Sequence, residues 1–64
     1  MNTKKEQIDN IINSAIEFGV KSWGRKEVMA IQIGLYWAEG FMEAAQCSNE
    51  LKTEVREKIN NYHF

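Results

Sequence analysis

Between Val28 and Ala45 almost every side chain is apolar or small, and this run decides what the chain can fold into. Proline is absent and strand-like alternation is nowhere sustained, so the periodicities are helical throughout. At 100° per residue, Gln32, Tyr36, Glu39, Glu43 and Gln46 fall on one narrow stripe. The apolar arc beside them spans roughly 220°, against about 100° for a typical surface helix. One neighbouring helix cannot cover such an arc. Two helices of the same chain cover part of it, and a partner subunit is the simplest cover for the rest.

The sequence supplies those two helices. The first is expected from Thr3 to Phe18. Thr3 and Glu6 form a capping-box pattern, and Ile8, Ile11, Ile12, Ala15 and Ile16 recur at spacings of three and four. Gly19 is the expected left-handed residue after the helix, and residues 20–24 are the expected connection. The second helix is expected from Arg25 to Gln46, roughly 33 Å long. Ser48 is the expected N-cap of the third, with Glu50 in the favourable first turn and a narrow stripe of Leu51, Val55 and Ile59. Glu54 and Lys58 are placed for an i,i+4 ion pair.

Chain length sharpens the need for a partner. A single domain of 64 residues, spanning 1–64, buries only about 60% of the surface its unfolded chain exposes. Such domains usually depend on disulfides, a metal or oligomerisation. Cys47 is the only cysteine, which removes an intrachain disulfide, and Cys47 with His63 falls short of a four-ligand zinc site. The expected fold is therefore all-α: three helices with a long central helix, the bundle completed by homo-oligomerisation, most simply as a two-fold dimer.

The formal net charge of −1, from 8 basic and 9 acidic residues, lacks the strongly basic footprint of a nucleic-acid-binding domain. One cysteine and a polar start leading straight into a helical pattern suit a reducing cytoplasm. Gln32, Glu39 and Glu43 interrupt the most apolar stretch, so no membrane span is expected.

Two groups of residues stand out as candidate sites. Ala30, Gly34 and Ala38 are spaced by four, and Gly40 and Ala44 repeat the spacing on an adjacent row. Glycine inside a helix costs about 1 kcal/mol relative to alanine. Such rows earn their place by letting another backbone approach closely. Ala30, Gly34, Trp37, Ala38 and Phe41 are therefore the expected self-association surface, with the first helix of the same chain as the alternative occupant. The second group is Lys21, Trp23, Arg25 and Lys26, with the aromatic residues Tyr62 and Phe64 after the third helix. Aromatic residues and arginine dominate interface hot spots, so these six are the expected partner-binding residues. Cations beside a helix N-terminus also suit an anion, which makes nucleic-acid or nucleotide binding through Lys21 to Lys26 the alternative.

Catalytic chemistry finds little support. Glu39 and Glu43 share a face, but the Glu-x-x-His pattern of a carboxylate-bridged metal site is missing. Cys47 lies near a helix C-terminus, where the dipole raises a thiol pKa. A helix-turn-helix reading of the second and third helices meets Glu50, Glu54 and Glu57 interleaved with the cations. No catalytic residue, cofactor or metal is expected. The expected function is a small protein–protein interaction module, a regulator or inhibitor that binds a larger partner, of the kind common among phage and mobile-element accessory proteins.

Overall fold

Thr3 opens the first helix of the computed structural model, which describes residues 3–64; Met1 and Asn2 of the expected 1–64 domain lie outside the described residues. Helix α1 (Lys4–Trp23) begins where Thr3 Oγ1 accepts a hydrogen bond from the Glu6 N–H at 3.1 Å. Its five predicted stripe residues are all buried. The expected stop at Gly19 is not observed. The helix runs another turn, Gly19 is buried inside it, and the left-handed residue is Gly24, at φ 87°, whose N–H donates to the Val20 carbonyl at 2.7 Å. Val20 packs on the core, which draws that extra turn into the fold.

Helix α2 (Val28–Ala44) is shorter than expected at both ends, about 25 Å long. After Gly24 the chain straightens through Glu27, which caps α2 in an extended conformation, so Arg25 and Lys26 lie in the connection and outside the helix. At the far end Gln46 adopts φ 57°, its N–H donating to the Glu43 carbonyl, while the Cys47 N–H donates to the Met42 carbonyl at 3.0 Å. This is the Schellman pattern with a glutamine where glycine usually sits. A left-handed residue with a Cβ costs roughly 1–2 kcal/mol. Gln46→Gly should therefore raise stability by about 0.5–1 kcal/mol in urea denaturation, an offset smaller than the strain because glycine also loosens the unfolded chain.

Helix α3 (Asn49–Asn60) starts directly after its expected N-cap, Ser48. Ser48 Oγ accepts from the Leu51 N–H at 3.2 Å, and Leu51, Val55 and Ile59 are buried. The expected Glu54–Lys58 pair is not among the ion pairs of the described residues, and Glu54 Oε2 is buried without a hydrogen-bond partner. Met42, Val55 and Ile59 are the largest side chains fully buried in the core, to which all three helices contribute.

The seam between α1 and α2 is the tightest feature. A Cβ built on Gly34 would overlap the Ala15 carbonyl oxygen, and one on Gly19 would overlap the Ala30 carbonyl oxygen and stand 3.0 Å from the Gly34 nitrogen. Ala15, Ala30 and Ala38 are wholly buried beside them. The two backbones thus meet with almost no side chain between them, the geometry small residues at spacings of four permit. This corrects the expected crossing of two copies at Gly34 and Ala38: α1 of the same chain occupies that row. The described residues are helical or irregular, without strands, and no helix is long and apolar enough to cross a membrane.

Candidate functional site

The extra turn of α1 packs Val20 on the core and carries Lys21 to the surface, and Tyr62 folds back against the same core from the end of α3. Between them lies a cleft of about 450 Å³, lined by Asn13, Ile16, Glu17, Val20, Lys21, Lys26, Tyr62 and Phe64. Buried Ile16 and half-buried Val20 give it an apolar floor. Tyr62 and Phe64 stand edge to face, ring centroids 5.3 Å apart, a preferred aromatic geometry. Lys21 pairs with Glu17 at 3.1 Å, an exposed helical pair that contributes little to stability. Lys26 makes no ion pair among the described residues.

Four of the six predicted partner-binding residues, Lys21, Lys26, Tyr62 and Phe64, are thus brought together. Trp23 and Arg25 are not part of the cleft. Trp23 is 42% exposed, and its indole N–H donates to the Glu27 carboxylate, clasping the end of α1 to the start of α2. Arg25 is exposed in the connection. Glu27 bears on the anion-binding alternative: it places a carboxylate at the N-terminus of α2, where a bound anion would benefit from the helix dipole.

A second surface lies on the far side of the Glu17–Lys21 ridge. Phe18, Trp37 and Phe41 stack in a ladder, with centroids 5.8 and 5.3 Å apart and interplanar angles of 27° and 10°. Phe18 and Phe41 remain nearly half exposed. Of the predicted self-association residues, Trp37 and Phe41 therefore reach the surface, whereas Ala30, Gly34 and Ala38 do not. The sequence reading did not single out Phe18. Its signal was present, since Phe18 continues Ile11 and Ala15 at spacings of four and three.

The carboxylates of α2 are structural neighbours of α3. Glu39 accepts from Arg56 Nε at 2.7 Å, and Glu43 from Lys52 Nζ at 2.7 Å. The Lys52 hydrogen bond and charge hold the Glu43 carboxyl below the usual carboxylate range. Cys47 is half buried and His63 exposed, and among the described residues no three His, Cys, Asp or Glu side chains converge. No protein-family model matches the chain, and neither a curated protein nor a solved structure matches it.

Proposed function

We propose that this chain is a protein-interaction module, a regulator or inhibitor that binds a larger partner at the cleft between α1 and the segment after α3. One observation carries the reading: two aromatic rings and Lys26, which makes no ion pair among the described residues, border an apolar floor beside the Lys21–Glu17 pair. Such a site accepts an apolar side chain flanked by acidic residues. Its aromatic walls supply the buried contact that dominates interface energetics, and its lysines select the flanking charge. The nucleic-acid alternative is less favoured, because Glu27 sits beside the cationic connection and the chain has no net positive charge.

A photo-crosslinking residue at Phe64 should capture one protein in cells of the source, while the same residue at Thr53, exposed on α3, should not. With that protein in hand, Phe64→Ala combined with Lys26→Glu should weaken binding at least about tenfold, the lower range for a hot-spot anchor. The helical circular dichroism should be unchanged, because both side chains are exposed. Unaltered affinity in the double variant would remove the cleft as the site. A nucleic-acid probe whose affinity falls steeply with salt would favour the alternative.

A further inference from the structure

The face of α2 turned away from α1 and α3 is graded in size along its length. Met29, Ile33 and Tyr36 project from its N-terminal half, Trp37 follows at the edge, and Gly40 and Ala44 leave its C-terminal half low. Met29 is 49% exposed and Tyr36 79%. The two acidic residues of α2 border this face on the Tyr36 side, where they pair with cations of α3. Packing within the chain accounts for Gly34 but not for Gly40, where an added Cβ would meet nothing within 4 Å.

We infer that this face binds a second copy of the chain, the two α2 helices running antiparallel about a two-fold axis near Tyr36 and Trp37. In that register Met29 faces Ala44 of the partner subunit, and Ile33 faces Gly40 of the partner subunit. Met29 and Ile33 each meet a small residue, Tyr36 meets the partner's Trp37 at the axis, and symmetry repeats each match on the other side. A parallel pairing would set bulk on bulk and leave a void at the glycines.

Charge favours the same arrangement. Glu27 caps the N-terminus of α2 with a carboxylate, but the last turn of α2 has no basic residue, so the C-terminal end of its dipole is uncompensated within the helix. Arg25 and Lys26, which make no ion pair among the described residues, precede its N-terminus. An antiparallel copy sets these cations beside the C-terminal carbonyls of its neighbour at both ends. Area permits it too. At about 150–250 Å² for a fully exposed aromatic side chain, the exposed parts of this face amount to on the order of 600 Å² per copy. Buried in full on both copies, that reaches the lower limit of about 1,200 Å² in total for a specific interface. None of the α2 face residues lines the cleft, and Lys26 is the one residue this inference shares with the proposed function.

Light scattering after size exclusion tests it on the full chain across about 10–200 µM. The parent should pass from monomer toward dimer over that range. Gly40→Leu should remain monomeric with full helicity, since the added side chain enters open space within the chain. In a Cys47→Ala background, Ile33→Cys mixed with Gly40→Cys should give oxidised dimers in far higher yield than either variant alone. A parent that stays monomeric at 200 µM, a Gly40→Leu protein that still dimerises, or cross-linking that is best for Ile33→Cys alone would each overturn the inference. A monomeric parent that still binds its partner through the cleft would leave the proposed function standing.

Discussion

Replacing Gly19 with alanine is expected to unfold the chain or bring it close to unfolding, although alanine is the better helix former by about 1 kcal/mol. Gly19 lies within α1 and its backbone is not in the left-handed region, so local conformation raises no objection to a side chain. The objection comes from across the seam. The new Cβ would overlap the Ala30 carbonyl oxygen and stand 2.9 Å from the carbonyl carbon. Both are backbone atoms that cannot rotate aside. The helices would have to separate, and the buried contacts of Ala15, Ala30 and Ala38 would loosen together. Overpacking of this kind costs about 1–3 kcal/mol where side chains can adjust, and more where they cannot. A chain of 64 residues has a total stability on the order of 3–10 kcal/mol. Urea denaturation followed by circular dichroism reads the effect, and a midpoint equal to the parent's would mean that α1 and α2 are farther apart than described.

The second large effect is expected at Met42. Its side chain is fully buried in one cluster with Val55 and Ile59, so it joins α2 to α3 at the centre of the core. Met42→Ala removes that volume and leaves a cavity the rigid helices only partly close. A loss of about 2–5 kcal/mol is expected. Met42→Leu nearly conserves volume and should cost less than about 1.5 kcal/mol. Measuring both by denaturation separates packing from the backbone role of Met42, whose carbonyl accepts the Cys47 N–H in either variant. Equal losses would mean that side-chain volume at this position does not set the cost, against the cavity account.

What the sequence made legible is what local physics decides. The stripes of α1 and α3 follow from the helical repeat, and Thr3 and Ser48 cap their helices through their own side chains. Gly19 and Gly24 show where local reading stops. Either glycine can end a helix, and the choice between them is made by the backbone of α2 lying against Gly19. A non-local signal existed: Ala15 and Gly19 repeat the spacing of Ala30, Gly34 and Ala38, so the small-residue row had its counterpart in the same chain. Gln46 gave no warning of a left-handed turn, because the hydrogen bonds of the Schellman pattern select it and not its side chain. For the cleft, residue type was legible in Lys21, Lys26, Tyr62 and Phe64, but convergence was not. That depends on α1 running one turn farther and on Tyr62 folding back. Trp23 drops out because Glu27 takes its indole N–H.

The chain's two tryptophans occupy unlike surroundings. Trp37 is stacked between two phenylalanine rings beside the open face of α2, whereas Trp23 stands at the connection near the cationic rim with its N–H on a carboxylate. The molecule thus carries two chromophores, one beside the face proposed to pair and one outside the cleft at the connection between α1 and α2. Pairing of copies would chiefly alter the emission of the first and leave that of the second as an internal reference. A Trp23→Phe variant, which keeps Trp37 alone, would turn pairing into an optical signal of its own, read along a dilution series.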